Sequence, residues 1–220
     1  MPRAIIAPGE HYHIFNRGFE KRNIFLNVAD YMRMSLLIMF LQGTTPIRNI
    51  GRLTKILKSD NRFNAMHPEI ESVLDERSVE LCAFVLMPNH FHLLAHELKE
   101  GAISSYLQRI EIAYTKYFNI KRDRSGYLLQ GPFQSVHVNT NEQLLYLSAY
   151  IHRNPRELKV WANKELHYPW SSYQDTLVKN RWGQLLKHEI ISAQFSGPKE
   201  YRNFVETSGA KEIFQGLHLD

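Results

Sequence analysis

The chain has 220 residues, 44% hydrophobic and 22% charged, with 27 Lys and Arg against 22 Asp and Glu for a formal charge of +5. That balance is ordinary for a folded globular chain, and the positive excess suits a polyanionic partner. The single cysteine, Cys82, excludes an internal disulfide framework and a cysteine-rich zinc site; no apolar run is long enough for a membrane span, and the N-terminal apolar stretch is too short for a signal peptide, so a cytoplasmic protein is expected.

Glu10 to Arg17 alternates loosely and ends at Gly18, which predicts a first strand. Asp30 to Leu41 carries Met34, Leu37, Ile38 and Leu41 on one helical stripe, and Gly43-Thr44-Thr45-Pro46 breaks it. Val79 to Met87 is a continuous apolar run, read as a buried strand. Pro88-Asn89 is a turn signal, and Phe91 to Ala95 is the next strand, so the two form a hairpin. Ile103 to Phe118 has the helical period, with Ile103, Leu107, Ile110, Tyr114 and Tyr117 in phase. Tyr127 to Val138 is a strand candidate interrupted by Gly131-Pro132, which predicts a bulge or an edge. Thr140-Asn141-Glu142-Gln143 has the form of a capping box, and the amphipathic helix after it runs to about Arg153, where Asn154-Pro155 ends it.

The first six elements follow the order β-α-β-β-α-β. The expected fold is therefore α+β and ferredoxin-like: an antiparallel sheet with helices on one face, followed by a further helix. Residues 44 to 78 are read as an insertion within a main domain of residues 1–175. Residues 176–220 form a polar, partly helical tail.

In Pro88-Asn89-His90-Phe91-His92, the two histidines sit at i and i+2 on a strand. They share a face about 7 Å apart, with Phe91 opposite. Such a pair can converge on a metal ion or can simply decorate a solvent-facing strand, and spacing leaves both open, since a metal needs a third ligand. On the last helix Tyr146, Tyr150 and Asn154 share a face, apart from the apolar stripe of Leu144, Leu147 and Ile151. The tyrosines can be packing residues. A phenol, with a pKa near 10, becomes a useful nucleophile only toward an electrophile polarised by a metal.

Together these motifs resemble a known family. Pro88-Asn89-His90-Phe91-His92 is similar to the His-hydrophobic-His motif of HUH single-strand DNA endonucleases. Tyr150-Ile151-His152-Arg153-Asn154-Pro155 resembles the tyrosine helix of the single-tyrosine transposases of short insertion sequences, and the REP-associated tyrosine transposases in particular. Supporting matches are Tyr12 to Gly18, Gly131 to Val136, and Pro169-Trp170-Ser171-Ser172-Tyr173. The resemblance implies a metal site of His90, His92 and Asn154, with Tyr150 as nucleophile and Tyr146 as a packing or substrate-contact residue. It implies Mg2+ or Mn2+ as cofactor, single-stranded or hairpin DNA as partner, no membrane, and a monomer or a homodimer with active sites completed in trans. The activity implied is DNA cleavage and strand transfer through a 5′-phosphotyrosine. The alternatives are a non-catalytic single-stranded nucleic-acid-binding module of the same fold, and a full mobile-element transposase.

Basic residues in several segments are DNA-binding candidates. Arg48, Arg52 and Lys55 share one face of a helical pattern in the insertion, read equally as DNA-facing or solvated. Lys116, Lys121, Arg122 and Arg124 cluster beside Tyr117 and Phe118, a mixture suited to single strands, and Arg17, Lys21 and Arg22 form a basic turn. His13, His96, His137 and His152 are read as surface or structural residues, and Trp161, Trp170 and Trp182 as packing the tail onto the domain.

Overall fold

The structure, a computed structural model, describes residues 6–44, 50 and 68–210. Four strands, β1 (His11–Arg17), β2 (Val79–Met87), β3 (His90–Glu97) and β4 (Gln134–His137), form one sheet in the order β2-β3-β1-β4, with every neighbouring pair antiparallel. Helix α1 (Val28–Phe40) links β1 to the insertion, whose described part contains α2 (Pro68–Asp75); α3 (Ala102–Lys121) links β3 to β4. The ferredoxin-like arrangement expected from the element order is the one observed. Helix α4 (Asn141–Arg153) follows, then α5 (Tyr173–Leu177), α6 (Glu189–Ser192) and α7 (Pro198–Thr207).

Three local features differ from the sequence expectation. The final strand begins only at Gln134, because Gly131 takes a positive φ of 71° and Pro132 has no N–H for the ladder. The hairpin turns at Pro88-Asn89 as expected, but β3 begins one residue before Phe91, with Met87 paired to His90. The capping box is displaced: Thr140 Oγ1 accepts from the Gln143 amide at 3.1 Å, but the Gln143 side-chain oxygen reaches back to the Asn139 amide at 2.8 Å.

Strand alternation divides the sheet between two cores. Tyr12, Ile14, Leu86, Phe91 and Leu93 face α1 and α3, meeting Leu37, Phe40, Tyr106, Leu107 and Ile110. Val85, Met87 and Leu94 face the other side, where Leu144, Leu147 and Ile151 of α4 dock. A register shift between Leu81 and Ala83 turns both Cys82 and Ala83 to this second side.

The polar C-terminal stretch is built into the fold. The Leu86 amide donates to the Trp170 carbonyl at 2.9 Å, Ser172 N to Phe84 O at 3.0 Å, and Lys187 N to Leu81 O at 2.8 Å. These bonds cover the outer edge of β2, which would otherwise offer unpaired backbone to another chain. Trp170 stacks on Tyr31 at 4.9 Å, and the buried Trp182 meets Phe84 edge-on at 6.4 Å. Helix α7 closes against α4 through Tyr201, whose hydroxyl lies 3.0 Å from Ser148 Oγ and 2.7 Å from His152 Nδ1.

Candidate active site and nucleic-acid interface

His90 and His92 both project from β3 onto the second side, while Phe91 between them is buried in the first core. Their rings lie 5.0 Å apart and nearly perpendicular. The Asn154 amide, one turn past Tyr150, is oriented by its own Nδ2, which donates to the Tyr150 carbonyl at 3.0 Å. That leaves Asn154 Oδ1 facing His90 Nε2 at 3.3 Å.

The other nitrogen of His90, Nδ1, lies 2.7 Å from Asn89 Oδ1, and Asn89 Nδ2 donates to the Lys21 carbonyl. His90 thus has an amide oxygen at each ring nitrogen. A neutral imidazole has one N–H, so at one of the two contacts lone pairs face each other. A cation between His90 Nε2 and Asn154 Oδ1 removes that conflict, and adjacent ligands of a six-coordinate Mg2+ are about 3 Å apart. His92 Nε2 is buried with no hydrogen-bond partner among the described residues. Burial, and then the neighbouring His90 and His13, hold its pKa well below the ordinary value, so it is neutral and has a lone pair to give.

Among the described residues no group of three His, Cys, Asp or Glu is placed to hold a metal; the Asn154 amide oxygen, facing His90 Nε2, would be the third donor beside the two histidines. These three atoms fit a divalent cation: two imidazole nitrogens and one carbonyl-type oxygen. Nitrogen donors favour Mn2+ at least as much as Mg2+.

Tyr150 comes from α4 and is buried. Its ring meets His92 edge-on at 5.3 Å and His13 at 5.9 Å. Tyr146, one turn earlier, packs on Phe204 of α7 at 5.4 Å. The structure thus brings together His90, His92, Asn154 and Tyr150 of one chain, and places Tyr146 in the tail interface.

His13 is the residue the sequence reading assigned elsewhere. It is fully buried, its Nε2 is 2.9 Å from His92 Nδ1, and burial lowers its pKa to about 3. Alternation against Tyr12 and Ile14 puts it on the side of His90 and His92, a signal present in the sequence; the strand register that makes them touch is not. His152, by contrast, is structural as expected: it is buried between Tyr201 and Ser172 Oγ, 2.8 Å away.

The basic candidates separate into groups. Arg17 lies opposite His90 in the β1–β3 ladder, hence on the same face beside it, and its Nε donates to Gln130 Oε1 at 2.6 Å. Lys21 and Arg22 belong to a loop folded against the Pro88-Asn89 turn, with Ile24 N bonded to Pro88 O at 2.8 Å. Gly18 permits that fold, because a Cβ there would run into the Arg22 carbonyl oxygen. Lys21 itself has a positive φ of 58°, uncommon for a residue with a side chain. Lys121 and Arg122 instead bind the fully buried Asp30, Lys121 at 2.9 Å. Arg124 is held by Asn119 and by the carbonyl of Tyr127, whose ring is 83% exposed. Lys116 is exposed on α3. Arg48, Arg52 and Lys55 lie outside the described residues.

The ferredoxin-like sheet, with paired histidines on one strand and an amide and a tyrosine on the next helix, has counterparts among proteins that process DNA. The family model described as Transposase IS200 like matches residues 53–154, from the insertion through Asn154. Among solved structures, the chain resembles a REP-associated tyrosine transposase bound to a REP hairpin, with a TM-score of 0.51 and 18% identity over 80% of this chain and 84% of that one. No curated protein sequence matches the chain. No helix among the described residues is long and apolar enough to cross a membrane.

Proposed function

We propose that the protein is a metal-dependent single-strand DNA endonuclease and strand transferase of the HUH type. It forms a 5′-phosphotyrosine intermediate and acts in the cytoplasm on REP-like palindromic hairpins. The observation that carries this reading is the grouping of His90, His92, Asn154 and Tyr150: Asn154 Oδ1 faces His90 Nε2 at 3.3 Å, and the His92 ring lies 5.0 Å from that of His90 and 5.3 Å from that of Tyr150.

A divalent Mg2+ or Mn2+ supplies Lewis-acid polarisation of the scissile phosphate and neutralises the charge that develops on it. His90, His92 and Asn154 would hold that ion, and the packed ring of Tyr150 limits where its oxygen can travel. The Tyr150 oxygen attacks phosphorus as its proton passes to solvent. The P–O3′ bond breaks, and the 3′ oxygen takes up a proton. The new bond is still a phosphodiester, so a second 3′ hydroxyl can displace Tyr150 in the same way and reseal or transfer the strand with no external energy source.

Arg17, Lys21 and Arg22 beside the hairpin turn suit phosphates of a single-stranded flank, and the exposed Tyr127 ring suits base stacking. Arg48, Arg52, Lys55, Lys116 and Arg124 are the remaining candidates, while Lys121 and Arg122 contribute charge from their Asp30 pairs. Tyr150 and the histidines lie together within one chain, which suits a monomer; a homodimer with active sites completed in trans is the alternative.

The test is a hairpin with a single-stranded flank, incubated with the protein and Mn2+. A 3′-end label is expected to shift to a protein-linked species and a 5′-end label to appear on a shorter free strand. Cleavage without an adduct would mean hydrolysis by water. Bound but intact DNA would mean a binding module. Displacement of an adjoining element would favour full mobile-element transposition.

A further inference from the structure

We infer that His13 is a positioning residue for the metal site: its Nε2 accepts the Nδ1 proton of His92, and so leaves the His92 Nε2 lone pair directed at the cation position. The inference rests on the metal-dependent reading above and adds to it the device that prepares His92 in advance.

The two imidazoles are diagonal neighbours, His13 on β1 opposite Leu94 and His92 on β3 opposite Phe15. Their facing nitrogens are 2.9 Å apart, and their ring planes differ by only 22°. Two neutral imidazoles in this contact share one proton. If His13 donated it, His92 would carry its own proton on Nε2. His92 Nε2, buried and without an acceptor among the described residues, would then have no lone pair left for a cation, and it is this demand of the metal-dependent reading that selects the tautomer. If His92 donates, Nε2 keeps a lone pair for a cation, on the face of β3 that His92 shares with His90. Ligating histidines are generally set in this way, by an acceptor on the nitrogen that does not bind the metal.

The packing keeps the pair from rearranging. Phe15 lies 5.0 Å from His13 and 5.8 Å from His92, and the Tyr150 ring closes edge-on against both. Swinging His13 away would open a gap between the sheet and α4, so the tautomer of His92 is tied to the docking of the tyrosine helix.

The experiment uses the full chain, free of metal, with 15N-labelled histidine. His92 is expected to show a protonated Nδ1 and a pyridine-type Nε2; a protonated Nε2 would overturn the inference whatever the variants do. Mn2+ titration is the second readout. His13→Leu is expected to weaken Mn2+ binding by about 10- to 100-fold, and His13→Gln, whose amide oxygen restores an acceptor, to recover most of that loss. Equal Mn2+ affinity of wild type and a folded His13→Leu, or no advantage of Gln over Leu, would also overturn it. A wild-type protein that binds no Mn2+ would fail the metal-dependent reading instead, and the metal-free spectrum would still decide the role of His13.

Discussion

The two faces of the sheet are built from the same strands by opposite rules. Toward α1 and α3 the strands send Tyr12, Ile14, Phe91 and Leu93, which bury almost completely among aliphatic and aromatic partners. The buried charge on that side, Asp30, is answered by Lys121, Arg122, the Tyr117 hydroxyl and the Leu26 amide. Toward α4 the same strands send His13, His90 and His92, and the helix answers with Tyr150, His152 and Asn154. One face gains stability from dehydrated apolar surface, and the other gives up part of that gain to hold polar atoms in a fixed arrangement. Period-two alternation lets both occupy one sheet without interfering. The chain beyond α4 is what makes the second face tenable, because Tyr201 and Ser172 satisfy His152 and the backbone at Trp170, Ser172 and Lys187 covers β2.

The sharpest break in this comparison is expected from Tyr150→Phe. It removes one oxygen from the chemical face and little packing, so the DNA adduct should fall by on the order of a thousandfold or more on a denaturing gel while DNA binding persists. An adduct that survives Tyr150→Phe but is lost in Tyr146→Phe would move the nucleophile one turn earlier.

Acid should attack the same face. His13 and His152 are lowered to about 3 and His92 well below its ordinary value, in each case first by burial. A folded-state pKa below the unfolded value of 6.5 means that the unfolded chain takes up protons the folded chain refuses. The stability is therefore complete above pH 6.5 and declines as pH falls toward 3, by up to about 1.4 kcal/mol per pH unit for each group. Urea titrations at pH 7.5, 6 and 5 should show this decline, and His152→Gln should reduce its slope.

On the other face Asp30→Ala should cost about 3 kcal/mol in urea unfolding, because Lys121 and Arg122 lose the carboxylate that orders them, yet leave Mn2+ affinity unchanged. Burial pushes the Asp30 carboxyl up, but the hydrogen bonds from Lys121 and the Leu26 amide and the charges of Arg122 and Lys121 outweigh it and hold it below the usual range. This contribution is present above the unfolded carboxyl value of about 4 and is lost only as pH falls through the lower folded one, so it leaves the pH 5–7.5 range to the histidines. A large loss of Mn2+ affinity in Asp30→Ala would show that the two faces are coupled.

Smaller effects should come from the closure of α7. Tyr201→Phe removes a hydroxyl shared by His152 and Ser148 and should cost about 1–2 kcal/mol, read by thermal unfolding. Tyr146→Phe should stay within about 0.5 kcal/mol of wild type in stability and retain most adduct formation.

Much of this arrangement is written in local sequence. Hydrophobic period and turn residues define the six core elements in order, because Pro88-Asn89, Gly43 and Asn154-Pro155 act on the backbone wherever the chain goes. Alternation around Phe91 puts His90 and His92 on one face, and the helical repeat puts Tyr150 and Asn154 on one side of α4, with no knowledge of the rest of the fold. What no local pattern contains is the register between β1 and β3, which carries His13 to His92 and Arg17 to His90, since register depends on the whole sheet pairing at once. The fate of the basic residues was decided in the same way: Lys121 and Arg122 are alike in sequence to free surface cations, and only the approach of α1 brings Asp30 to them. The composition of the C-terminal stretch likewise gave only a polar, partly helical tail packed through its tryptophans. Its role appeared only with the exposed edge of β2 and the buried His152, two demands made by distant parts of the chain.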